Sequence, residues 1–235
     1  METSEALTGV LDLHRDDKRK LLDGLTDEER RKLESHWEFW ARPEQLPPQG
    51  DWHTWLICAG RGFGKTRAGS EWIRSVARTD ADARIALVGA TFDEVRRVLV
   101  EGESGILAVC DEGRGPKWEP SLRRLTWASG AQAFCYSASE PESLRGPEHG
   151  YAWCDEIAKW DNASERAMAA WDNLLMGLRL GEQQHVLATT TPRAVPLVRR
   201  LLAEGETGEV VVTRGTTWDN AGNLPTRFLN RMRRQ

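Results

Sequence analysis

The sequence has only four cysteines and five histidines in 235 residues. Cys58, Cys110, Cys135 and Cys154 stand far apart, and no two histidines are spaced as metal ligands are, which argues against a structural zinc site. Two of the cysteines fall in strand-like apolar runs, where a small buried thiol is the expected role. Long hydrophobic runs are also missing. Stretches such as Trp55–Ala59 are far too short to cross a bilayer, mean hydropathy is -0.56, and the start Met-Glu-Thr-Ser-Glu lacks the basic-then-apolar pattern of a secretory signal. No membrane partner is expected, and this cysteine usage fits a reducing, cytoplasmic compartment. Internal repeats and low-complexity tracts are absent too. With 40% hydrophobic and 29% charged residues the chain is ordinary for a folded protein, and a disordered one is excluded.

A net charge of -4 excludes a protein that coats DNA through bulk charge. The balance is uneven, however. Residues 221–235 hold four arginines (Arg227, Arg231, Arg233, Arg234) and no acid, which suits a solvated helix end first and a nucleic-acid contact second. The 11 tryptophans are many for this length, and most are assigned to packing. Trp40 and Trp52, near the first glycine loop in sequence, are the pair to examine for base stacking.

Thr26-Asp27-Glu28-Glu29 has the form of a capping box opening a helix to about Trp40, with Leu33 and Trp37 on one face. The run Arg42 to Pro48 breaks it. Beyond lie strand candidates at 55–59, 84–90, 151–154 and 185–188, and helices at 66–78, 93–100 and 164–179. Residues 122–136 read as a hairpin turning near Ser129-Gly130. Strands alternating with helices predict an α/β fold with a mostly parallel sheet covered on both faces.

Ala59-Gly60-Arg61-Gly62-Phe63-Gly64-Lys65-Thr66 stands where a strand gives way to a helix. A phosphate chain needs converging backbone N–H groups and a close backbone approach, which glycines and a helix N-terminus supply. In the pattern G-x-x-x-x-G-K-[ST] Lys65 reaches the phosphates and the Thr66 hydroxyl ligates Mg²⁺. Ala59 departs from it at the first glycine, and Gly60 and Gly62 can supply the turn. Such a loop needs a carboxylate at the end of an apolar strand, and Tyr151-Ala152-Trp153-Cys154-Asp155-Glu156 provides one. Asp155 is placed to hold the metal and Glu156 to polarise an attacking water. Thr189, Thr190 and Thr191 end a further strand; next to the Asp155 strand they would stand near the γ-phosphate.

Taken together, the chain from about Trp40 resembles the ATPase domain of the large terminase subunit, the DNA-packaging motor protein of tailed phages and gene transfer agents. The resemblance rests on Arg42-Pro43-Glu44-Gln45 through Trp55, on Gly60 to Thr66, and on Ala90-Thr91-Phe92-Asp93-Glu94. It continues through Glu101-Gly102-Glu103-Ser104-Gly105, Ser143-Leu144-Arg145-Gly146-Pro147, Asp155-Glu156 and Thr189-Thr190-Thr191-Pro192. It implies a P-loop NTPase of the ASCE type using ATP and Mg²⁺, with residues 1–41 as a helical segment and 42–235 as the ATPase domain. Gln45 is similar to the adenine-contacting glutamine of the family, and Thr189–Thr191 to its coupling motif. Arg145 stands where some members place an arginine finger that enters the neighbouring subunit, and Arg61 is the competing candidate in cis. The implied partners are double-stranded DNA, a portal protein on a procapsid, a small terminase subunit, and further copies forming a ring, expected to be a pentamer, in the host cytoplasm. After Glu209 the only acid is Asp219, so no metal-dependent nuclease is expected from this sequence. Two other classes stand beside this one: a helicase-like or repair ATPase, and a non-catalytic module that binds ATP to dock a partner.

Overall fold

The computed structural model describes residues 36–110 and 113–234, with Asp17, Gly24 and Thr26. The expected capping box at Thr26–Glu29 and most of its helix lie outside the described residues. Two compact units divide between Leu46 and Pro47. In the first, helix α1 (Trp37–Trp40) is followed by a 3₁₀ turn at Pro43–Gln45. The Gln45 side chain folds back there, its Oε1 accepting from the Arg42 backbone N–H at 3.2 Å.

The second unit is built on one eight-stranded sheet. Its strands are β1 (Thr54–Ala59), β2 (Arg84–Gly89), β3 (Lys117–Glu119), β4 (Arg124–Thr126), β5 (Gln132–Ser137), β6 (Tyr151–Cys154), β7 (His185–Thr190) and β8 (Val210–Gly215). They lie in the order β3-β4-β5-β2-β6-β7-β1-β8. From β5 to β8 every pairing is parallel; β3 and β4 add an antiparallel edge. The helices are α2 (Lys65–Thr79), α3 (Phe92–Glu94, running into a π-helical stretch at 95–100), α4 (Ile106–Val109), α5 (Arg166–Gly177), α6 (Pro196–Thr207) and α7 (Thr226–Met232).

Why this sheet is parallel is visible in its strands. TWLICA in β1 is buried at every position and YAWC in β6 at all but the first, as strands covered on both faces must be. Side chains then alternate between two cores. Leu56, Cys58, Ala86, Val88, Ala152 and Cys154 face a cluster with Trp171 and Leu174 of α5 and Leu197 and Leu201 of α6. On α2, a Cβ at Gly69 would strike the Trp153 indole, so the absent side chain lets this helix lie against the sheet.

Several boundaries shift by a residue or two. Helix α5 begins at Arg166 rather than at Ser164, because Glu165 takes a left-handed backbone (φ 61°) and Asp161 captures the Ser164 hydroxyl. The hairpin forms between β4 and β5, with Gly130 at φ 110° in its turn. Strand β8 and the 3₁₀ turn at Thr217–Asn223 have no counterpart in the sequence reading, whereas α7 falls where the four arginines suggested a helix end. Among the described residues, no helix is long and apolar enough to cross a membrane.

Candidate functional site

The residues singled out for phosphate chemistry meet at the carboxyl ends of the parallel strands, where ligands of open α/β sheets bind. β1 delivers the loop Gly60–Gly64 into the start of α2, with Gly62 (φ 75°) and Gly64 (φ 98°) in the left-handed region that favours glycine. Phe63 is buried in full and sits over Gly215 at the end of β8, where no side chain could be accommodated. Arg61 is exposed. Lys65 is only 7% exposed; its Nζ donates to the Ala59 carbonyl at 2.9 Å and the Gly60 carbonyl at 3.3 Å.

β6 delivers the acids. Asp155 is buried, and burial raises its carboxyl to about 6 against the hydrogen bond from Thr189, with the Glu156 charge pushing the same way as burial. Glu156 takes the left-handed conformation (φ 45°, ψ 53°), which costs a non-glycine residue about 1–3 kcal/mol and is held by its surroundings. Its Oε1 lies 3.1 Å from Lys65 Nζ. Burial works to raise the Glu156 carboxyl, but the Lys65 ammonium and hydrogen bonds from Lys65 and Thr191 outweigh it and leave it below the usual value.

β7, inserted between β6 and β1, ties these parts together. The Thr189 hydroxyl donates to Asp155 Oδ1 at 2.8 Å and accepts from the Glu156 backbone N–H at 3.1 Å. Thr191 gives Glu156 its backbone N–H at 3.2 Å and shares its hydroxyl with both carboxylate oxygens at 3.1 and 3.0 Å. The Thr190 hydroxyl turns instead to the Thr191 carbonyl. A lysine, a carboxylate and a third strand's hydroxyls therefore form one connected network. Each carboxylate in it has donors suited to its ionised form.

The donor set also fits Mg²⁺. One buried carboxylate and one hydroxyl (Asp155, Thr66) resemble the few protein ligands that Mg²⁺ takes when substrate phosphates and water complete its shell. Among the described residues, no group of three or more acidic, histidine or cysteine side chains could by itself hold a metal ion.

Arg145 and Trp52 lie outside this network. Arg145 is 73% exposed and pairs with Glu142, at 3.5 Å, rather than with Asp155 or Glu156. Gln45 belongs to the first unit. Trp52 does not flank the glycine loop in space, which corrects its reading as a base-stacking candidate. It packs on His185 (4.3 Å between rings) and Trp72 (6.0 Å), before the first residue of β1, while the loop follows the last. β1 stands between them, so nearness in sequence became the length of a strand.

Sequence reasoning missed the segment after β8. β8 pairs with β1 residue by residue up to Ala59↔Gly215, so the chain leaves the sheet beside the glycine loop. The Thr217 backbone N lies 2.8 Å from where a Cβ on Gly60 would stand, and Asn220 Nδ2 donates to the Gly62 carbonyl at 2.6 Å. One signal was available: Thr216 and Asp219 form a capping box at this turn.

Comparison with solved structures gives the same fold. The large terminase of a thermophilic bacteriophage superposes with a TM-score of 0.64 at 15% identity over 87% of this chain and 48% of its own. A crystal form of that protein in complex with ADP gives 0.63 at 16% identity, with the same coverage. The large terminase ATPase domain of Thermus phage P74-26 gives 0.57 at 14% identity, over 74% of this chain and 80% of its own. The chain thus spans about half the length of the first of these proteins. No curated protein sequence matches it at a significant level. A family model, "Terminase large subunit, T4likevirus-type, N-terminal", matches residues 56–233, from within β1 through α7. With fold and family model in agreement over most of its length, the chain belongs to the large terminase subunit family, within its N-terminal region.

Proposed function

We propose that this chain binds and hydrolyses ATP as the motor domain of a DNA-packaging machine, translocating double-stranded DNA into a procapsid. The observation that carries the reading is the network joining Lys65, Glu156 and Thr191 beside the Asp155–Thr189 pair. Gly60, Arg61, Gly62, Phe63, Gly64, Lys65 and Thr66 cradle the phosphates, and Gln45 contacts the adenine. Thr66 and Asp155 would hold Mg²⁺, which would supply positive charge beside the phosphates. Glu156, kept ionised by its donors, accepts a proton from the attacking water. Lys65 is paired with Glu156 in the structure and must turn towards the phosphates, which frees that carboxylate for the water. Thr191 lets go of Glu156 in the same exchange, so β7 senses whether the site is filled; this is the coupling role of Thr189, Thr190 and Thr191. Arg145 enters the site of a neighbouring copy, and Arg61 is the alternative within one chain.

The ATPase domain is proposed to span residues 42–235. The partners are DNA, a portal protein, a small terminase subunit and further copies in a ring, proposed as a pentamer, in the cytoplasm of a bacterial host. The crystal form of the thermophilic phage's large terminase in complex with ADP supports nucleotide binding.

The test is ATP turnover per chain with Mg²⁺ as protein concentration rises, with Glu156→Gln as the blank. Turnover that climbs with concentration and vanishes in the blank is expected. A wild-type rate equal to the blank at every concentration would refute catalysis.

A further inference from the structure

The phosphate loop is gripped by the end of β8 and the segment that follows it, at Gly60 and at Gly62. Gly60 donates its N–H to the Gly215 carbonyl at 3.1 Å, and the next turn presses Thr217 against Gly60. Asn220 Nδ2 holds the Gly62 carbonyl at 2.6 Å. A Cβ on Gly62 would meet both Leu224 methyl groups at 3.0 Å and the Phe228 ring at 3.3 Å, so these two side chains close over the same residue. The Asn220 amide is itself oriented: its Oδ1 accepts from Asn223 Nδ2 at 2.7 Å, which leaves Nδ2 as the atom aimed at the loop. Thr216 and Asp219 brace the turn from which Asn220 projects.

The carbonyl that Asn220 holds matters because of what lies at the other end of its peptide. In a planar trans peptide the C=O and N–H point in opposite directions. Fixing the Gly62 carbonyl outward therefore aims the Phe63 N–H into the concave side of the loop, where a phosphate would sit. That N–H now reaches the Gly60 carbonyl at 3.3 Å, a long bond that an anionic phosphate oxygen would outcompete. With φ at 75° and no side chain, Gly62 is the residue whose peptide could most readily flip.

We infer that Asn220 is a positioning residue for the phosphate loop, and that residues 216–228 form a clamp whose seating is coupled to nucleotide occupancy. This rests on the nucleotide-binding reading above. Coupling is reciprocal: a clamp that preorganises the loop for phosphate is itself held more firmly when phosphate is bound. The clamp leads into α7, which carries Arg227 and Arg231, so occupancy of the loop reaches a basic element through Leu224 and Phe228.

The experiment uses the whole chain and ADP. Affinity is measured for wild type, Asn220→Ala, Asn220→Asp and Asn223→Ala, with thermal melting in the absence of nucleotide. Hydrogen exchange over residues 216–228 is followed with and without ADP. Asn220→Ala is expected to weaken ADP binding about threefold to tenfold, as loss of one hydrogen bond implies. Asn220→Asp sets a carboxylate against a carbonyl and is expected to weaken it further. Asn223→Ala, which only releases the amide, is expected to weaken it about twofold, a smaller effect than losing the bond itself. ADP should slow exchange over 216–228 in wild type, and less so in Asn220→Asp. Nucleotide-free melting close to wild type, together with weakened binding, separates positioning from plain structure. Unchanged ADP affinity in Asn220→Asp and Asn220→Ala would overturn the inference, as would a lowered melting point with unchanged affinity. Wild-type protein that binds no ADP at all would instead sink the nucleotide reading on which it rests.

Discussion

Thr189→Val removes one hydroxyl from the centre of the site with almost no change of shape. Thr189 is fully buried, and its hydroxyl serves two partners at once: Asp155 Oδ1 at 2.8 Å and the Glu156 N–H at 3.1 Å. The bond to the carboxylate is worth about 1.5–3 kcal/mol, and leaving the amide unpaired costs about 1–3 kcal/mol. The two share one atom and do not add in full, so a loss of about 2–4 kcal/mol is expected. At roughly 2–4 °C per kcal/mol for a chain of this size, the melting point should fall by about 5–15 °C. Asp155, deprived of the bond that holds its carboxyl down, should rise further above its present value of about 6. Turnover should fall with it, because both acids take their placement from this hydroxyl. Thr189→Ser keeps the oxygen and loses one methyl, for about 1 kcal/mol. The assay is differential scanning calorimetry on the three proteins, with ATP turnover alongside. A Thr189→Val melting point within about 2 °C of wild type, less than 1 kcal/mol of change would give, or an equal fall in Thr189→Ser, would refute this account.

Gly69→Ala should destabilise by about 1–3 kcal/mol, the usual range for overpacking, although alanine is the better helix former; calorimetry would show the sign. A stabilised variant would mean that Trp153 moves aside freely. Mixing Arg145→Ala chains with Glu156→Ala chains should restore turnover that neither has alone, because Arg145 is directed outward from its own chain. No recovery under assembling conditions would move the finger to Arg61. Burial, with no hydrogen-bond partner for either ring nitrogen, lowers His149 from 6.5 to about 4. A depressed histidine leaves its stability intact above the unfolded value, and that stability is lost as pH falls from about 6.5 to about 4, by about 3 kcal/mol in all. Asp155, raised by burial, works in the opposite sense over part of that window, so the readout is the difference between His149→Leu and wild type in urea melts. A pH-independent difference would contradict it.

How far the site was legible depended on whether its chemistry is carried by neighbours in sequence. Gly60 to Thr66 are contiguous, and a strand, a glycine loop and a helix follow one another directly, so the loop could be read from spacing alone. The Asp155-Glu156 pair was legible because four apolar residues lead into it. Placing Thr189 to Thr191 beside those acids required a strand order, and β7 does lie between β6 and β1. Trp52 shows the opposite case. It is close to the loop along the chain, but the length of β1 separates them, and its partners His185 and Trp72 come from elsewhere. Strand β8 escaped notice because it is an edge strand with exposed positions at Val211 and Arg214, and so lacks a continuous buried run.

The residues by themselves determined the local parts: buried strands from unbroken apolar runs, a strand-to-helix loop from glycine spacing, carboxylates at a strand end. These follow from short-range rules, since backbone conformation and periodic burial are set within a few residues. The tertiary structure alone decided which atoms serve which. Lys65 holding Glu156, one Thr189 hydroxyl bridging both acids, and Asn220 fixing the Gly62 carbonyl all join residues distant in sequence. Such pairings depend on strand order and register, which no local propensity encodes, because burial at those positions exists only once the sheet has closed.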